Sequence, residues 1–109
     1  LPMIRRLNEV RRENPALQVL GNVHFLDTAN EALIAYAKTA PGNVVIVVAN
    51  IDPHDAQAGA VLVPAHLGLP PVFAVQDQFT GDHYDWRIGT NYVRLDPQGS
   101  QTHLFKVVS

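Results

Sequence analysis

The sequence predicts a mainly β fold, an antiparallel two-sheet sandwich preceded by one amphipathic helix. Three observations predict it. Apolar residues recur at helical spacing only near the start of the chain. From Asn22 onward the period falls from 3.6 to 2. Turn signals then return every eight to twelve residues. The length of 109 residues suits a single domain with one modest core.

The helix is read over residues 3–13. Met3, Leu7 and Val10 form a stripe at spacings of four and three, flanked by Ile4 and Arg11, with charge opposite. Pro2 suits a first helical turn. Asn14-Pro15 ends the helix, because the residue before proline is pushed out of the helical region. At about three turns it is marginal alone, so its stripe needs a partner.

Strands follow at 23–26, 33–38, 44–49, 59–63, 72–75, 83–88, 91–95 and 103–108. The run 44–49, Val-Val-Ile-Val-Val-Ala, is apolar on both faces. It is predicted to be central, and dry on both sides if a second body leans on its outer face. Ala40-Pro41-Gly42-Asn43 and Asp96-Pro97-Gln98-Gly99-Ser100 are turns. In 83–88, Tyr84, Trp86 and Ile88 share one face and His83, Asp85 and Arg87 the other, so both aromatics are expected inward. No second helical pattern follows, which argues against βαβ units.

Composition removes several function classes. Hydrophobic residues are 47 % and charged residues 17 %, a folded composition rather than a disordered one. Ten acids against eight bases, with a pI near 6.2, exclude nucleic-acid binding driven by charge. No apolar run approaches the ~18 residues of a membrane span, so no membrane partner is expected. There is no cysteine for a disulfide, thiolate metal site or thiol nucleophile. The chain starts at Leu1 rather than Met, without a signal-peptide core, as expected of a piece of a longer protein.

Candidate chemistry is sparse. Ser100 and Ser109 are the only serines, and Ser100 follows a glycine in a turn, so neither reads as a nucleophile. The five histidines, His24, His54, His66, His83 and His103, fit no compact ligand spacing. His54 between Asp52 and Asp55 permits a metal reading. The simpler one has Asp52 capping a turn fixed by Pro53, with the imidazole in water. His24 reads as a solvent-face or intersheet residue. Tyr84 and Trp86 at i, i+2 form either core or a platform for sugar rings. Arg5, Arg6, Arg11 and Arg12 read as a solvated face, or as ion-pair partners of a missing body, rather than a phosphate site. No catalytic, cofactor-binding or metal-binding residue is assigned.

Four segments together resemble a known family. They are Glu13-Asn14-Pro15-Ala16-Leu17, the run from Val44 through Asn50-Ile51-Asp52-Pro53-His54, Asp77-Gln78-Phe79-Thr80-Gly81, and Asn91-Tyr92-Val93-Arg94-Leu95-Asp96-Pro97. In that order they resemble the C-terminal end of the α-1,4-glucan:maltose-1-phosphate maltosyltransferases, of the α-amylase superfamily (glycoside hydrolase family 13). Trehalose synthases are the nearest relatives to confuse with them.

The resemblance implies that 1–18 is the terminal helix of a (β/α)₈ barrel lying outside this chain. It implies that 19–109 is a C-terminal β-sandwich of the α-amylase type. The parent would be a cytoplasmic retaining enzyme, with a homodimer allowed, that moves maltosyl from α-maltose 1-phosphate to an α-1,4-glucan. Its aspartate nucleophile and glutamate acid/base belong to the barrel and map onto no residue here, and no cofactor is implied. The partners implied are that barrel, α-glucan and maltose 1-phosphate. A carbohydrate-binding module and an independent interaction domain, docking through the helix stripe, stay open as other classes.

Overall fold

A computed structural model describes residues 2–18, 21–99 and 101–108, with side chains from Arg5 onward. The helix α1 runs Pro2–Glu13. A 3₁₀ turn at Pro15–Gln18 follows, as expected where Pro15 bars continuation of the α-helix. The strands are β1 Val23–Leu26, β2 Leu33–Ala40, β3 Asn43–Asn50, β4 Gln57–Val63, β5 Val72–Asp77, β6 His83–Arg87, β7 Gly89–Leu95 and β8 Thr102–Val107. Each predicted strand is present: 23–26 matches at both ends, and the others differ at one or both ends by one or two residues. The segment after Pro64 forms a second short 3₁₀ turn, Ala65–Leu67.

Six strands form one sheet in the order β1-β2-β3-β8-β5-β6, and β4 and β7 form a second. Every pairing is antiparallel. The β2–β3 hairpin closes on Pro41-Gly42, with Gly42 at φ 72°, which is turn chemistry of proline then glycine. The core lies between the sheets. Val61 and Val63 of β4, with Val93 and Leu95 of β7, meet Ala35, Ala37, Ile46, Val48, Phe73, Val75, Trp86 and Phe105 of the larger sheet. The layers are also stitched by backbone. After β1 the chain crosses to the smaller sheet, where Thr28 bridges Val61 and the Leu62 N–H donates to the Asp27 carbonyl at 2.9 Å.

The body covering the outer face of β3 is the chain's own N-terminal segment. Val45 and Val47 point away from the main core and pack with Ala16, Leu17, Tyr36, Ala40 and Leu104. The junction is polar but closed. The Asn14 side chain donates to the Val10 carbonyl at 2.9 Å, and its Oδ1 accepts from Asn43 Nδ2 at 3.1 Å. Asn43 Oδ1 accepts the Ala16 N–H at 2.9 Å. Asn14 and Asn43 are both buried.

Of the predicted stripe, Val10 is buried whereas Leu7 is 42 % exposed, and the side chain of Met3 lies outside the described residues. Arg6 ties the helix to the far side of the sheet, its Nε donating to the Gln78 carbonyl at 2.7 Å. The arginine reading is thereby refined: Arg6 is a backbone clamp that also pairs with Glu9, while Arg5, Arg11 and Arg12 are exposed.

Replacing Asn43 with Ala removes the acceptor of the Ala16 N–H and the donor to Asn14, leaving polar groups buried without partners. The expected loss is about 1–3 kcal/mol. It is checked by urea unfolding, with a fall in midpoint at unchanged slope.

Candidate functional site

Two polar turns and one cleft hold the residues with chemical potential. The first turn follows β3. Asp52 Oδ1 accepts the His54 N–H at 2.9 Å and the Asp55 N–H at 3.2 Å, and Oδ2 accepts Gln57 Nε2 at 2.8 Å. The His54 N–H bond first, then the Gln57 and Asp55 bonds, holds the Asp52 carboxyl below its usual 3.8. His54 and Asp55 themselves are exposed. Asp52 is therefore spent on the turn, and no group of three or more His, Cys, Asp or Glu positioned for a metal occurs among the described residues. Asn50, buried beneath, donates to the carbonyls of Asp55 and Leu95, both at 3.0 Å, and so ties this turn to β7.

The second turn joins β5 to β6. Asp77 is buried, and its Oδ1 accepts the N–H groups of Phe79 at 2.8 Å and Thr80 at 3.2 Å. The loop closes with the Gly81 N–H on the Asp77 carbonyl at 2.8 Å, Gly81 taking the left-handed φ of 82° that favours glycine. The remaining Asp77 oxygen, Oδ2, faces His103 Nδ1 at 3.3 Å. The His103 ring stacks on Phe105 with centroids 4.8 Å apart.

The cleft opens beside this pair. About 260 Å³ in volume, it is lined by Tyr84, Trp86, Tyr92, Arg94, His103 and Phe105. Trp86 is buried as predicted and meets Phe105 edge to face at 5.3 Å. Tyr84 departs from expectation: it shares that face and lies edge-on to Phe105 with ring centroids 5.7 Å apart, yet is 44 % exposed. The reason is its place on β6, at the edge of a six-stranded sheet that has only two strands opposite. The sequence alone does not link Tyr92, Arg94 and His103 to Tyr84. The alternation of 91–95 does place Tyr92 and Arg94 on one face, but nothing in it names the neighbouring strand.

The other predicted candidates fall elsewhere. His24 is exposed on β1, 3.5 Å from Thr39 Oγ1 and edge-on to His66 at 6.1 Å. His83 is exposed on the opposite face of β6 from Trp86. Ser100 and Ser109 lie outside the described residues.

Residues 25–107 match the family model described as "GLGE, C-terminal". The chain belongs to this GlgE family, as its C-terminal domain. Among curated relatives, an alpha-1,4-glucan:maltose-1-phosphate maltosyltransferase of Streptomyces coelicolor is 46 % identical over 97 % of this chain. The enzymes of the same name from Salinibacter ruber and Corynebacterium glutamicum are 40 % and 43 % identical over 97 % and 94 % of it. In each case the chain spans 16 % of the relative's length. In solved structures, a β-L-arabinopyranosidase of glycoside hydrolase family 27 from Geobacillus stearothermophilus superposes with a TM-score of 0.56. It is 17 % identical over 85 % of this chain and 21 % of its own, a likeness of fold alone.

The bonds on Asp52 fix the sign of its pH response. A carboxyl depressed in the folded state contributes stability above its unfolded pKa and loses it as pH falls through the folded value. Asp52 is expected to titrate below 3.8 by NMR, and Gln57→Ala, which removes one of its bonds, to move that midpoint upward.

Proposed function

We propose that this chain is the non-catalytic C-terminal domain of a maltosyltransferase. The whole enzyme would transfer maltosyl from α-maltose 1-phosphate to an α-1,4-glucan and release phosphate. The observation that carries this reading is identity of 40–46 % to maltosyltransferases along nearly the whole chain. The enzyme is read as cytoplasmic, and no helix among the described residues is long and apolar enough to cross a membrane.

In this reading α1 is the terminal helix of a catalytic (β/α)₈ barrel. Two features support it. The family match begins at residue 25, after the helix. Leu7 stands 42 % exposed on a helix whose next apolar turn, at Val10, is buried, which leaves a face for a neighbouring body. The sandwich then serves as a rigid end-piece, with α1 as the joint.

Retaining transfer needs two carboxyls about 5–5.5 Å apart, one as nucleophile and one as acid/base. The buried or bonded carboxylates of this chain have other work. Asp52 and Asp77 each hold two backbone N–H groups, and Asp96 accepts the Gln98 N–H at 2.9 Å. A carboxylate already bonded to its own turn is poorly placed to attack an anomeric carbon or to protonate a leaving oxygen. The chemistry is therefore assigned to the barrel.

The test is a phosphate-release assay. The full-length protein is expected to release phosphate from α-maltose 1-phosphate only when an α-1,4-glucan acceptor is present, and the 109-residue chain alone to release none. Turnover by the purified chain that disappears with a single Asp→Asn change would refute the non-catalytic reading. Interconversion of maltose and trehalose without phosphate by the full-length protein would replace the maltosyltransferase reading with a trehalose synthase.

A further inference from the structure

The cleft at the β6 edge is built for a ligand of one kind. Its floor is aromatic, Trp86 against Phe105, and its rim carries two phenols, Tyr84 and Tyr92, of which Tyr92 is 71 % exposed. Tyrosine and tryptophan present apolar ring area with a polar tip, which suits a partner with apolar faces and hydroxyl edges.

Charge narrows the choice further. The Arg94 guanidinium and the His103 imidazole of the cleft already have carboxylate neighbours. Arg94 stands 3.8 Å from Asp96, and His103 stands 3.3 Å from Asp77. A phosphate would have to compete with those carboxylates at each of the two side chains, whereas a neutral polyol can share them through hydroxyls that both donate and accept. At about 260 Å³ the cleft is slightly smaller than the roughly 300–1,000 Å³ of drug-sized pockets, and it is open, so it takes a short segment of a chain passing over it.

We propose that Tyr84, Tyr92, Arg94 and His103 form a surface site for a neutral glucan, the pyranose rings stacking on the tyrosines and the hydroxyls bonding to the phenols, the guanidinium and the imidazole. That the chain is α-1,4-linked rests on the maltosyltransferase reading. The site binds and does no chemistry.

The only tryptophan, Trp86, lies in the cleft floor and supplies the readout. Titration of this chain with maltoheptaose is expected to give a saturable change in its fluorescence, and inorganic phosphate none. Tyr92→Ala, at a largely exposed position that leaves the core intact, is expected to weaken binding roughly three- to tenfold. Phe25→Ala, at the opposite edge of the six-stranded sheet, is expected to leave it unchanged. Several results would overturn the site: no saturation with maltoheptaose, equal binding by the Tyr92→Ala chain, or a response to phosphate alone. So would protection of Tyr92 from nitration in the full-length protein without glucan, since another part of the polypeptide would then cover the cleft. Equal binding of cellohexaose would overturn the α-linkage while leaving the cleft as a glucan site. Because fluorescence binding does not depend on phosphate release, failure here and failure of the transferase reading are separable.

Discussion

A strand that is apolar on both faces cannot sit in a two-layer sandwich without a third cover, and β3 imposes that demand on this molecule. Ile46 and Val48 fill the space between the sheets, while Val45 and Val47 face the other way and are also buried. The segment around Ala16 meets the demand, and its position explains much of what surrounds it. Pro15 ends the helix where the chain must turn onto the sheet, and Asn43, the first residue of β3, supplies the acceptor for the Ala16 N–H. Burial of each valine side chain is worth about 1.5–3 kcal/mol, enough to hold a short helix that is marginal by itself.

Side-chain amides and carboxylates serve the same end throughout. Asn14 and Asn43 close the helix junction, Asn50 joins the turn after β3 to β7, and Asn91 both accepts from and donates to the Arg87 backbone. Asp52 and Asp77 each fold a turn around one oxygen. A loop-rich sandwich leaves many backbone groups without a strand partner, and these short side chains satisfy them. Asp52 and Asp77 are in this way committed to architecture.

Burial period made most of the fold legible. Asn91, Val93 and Leu95 point inward on β7 while Tyr92 and Arg94 point outward, as alternation requires, and the doubly apolar run at 44–49 marks the central strand. What periodicity lacks is the identity of neighbours. It places Tyr84 on the same face as Trp86, but the exposure of Tyr84 depends on how many strands lie opposite, which is a tertiary quantity. It places Leu7 and Val10 on one stripe without telling how far the cover extends. Asn43 reads as a turn residue, and its bonds to Asn14 and Ala16 depend on which segments meet. The cleft was half legible for the same reason: Tyr84 and Trp86 stood out in one strand, whereas Tyr92, Arg94 and His103 come from two others.

Strand order has a temporal consequence. β8 is the last strand in the chain, yet it lies between β3 and β5 in the middle of the larger sheet. Until it is inserted, β1-β2-β3 and β5-β6 are separate pieces, each with a bare hydrogen-bonding edge along a hydrophobic strand. Such edges invite pairing with other chains, and contacts of high sequence separation form slowly. During synthesis the domain would pass through that divided state until β8 has left the ribosome, so its sheet closes in one late step rather than strand by strand.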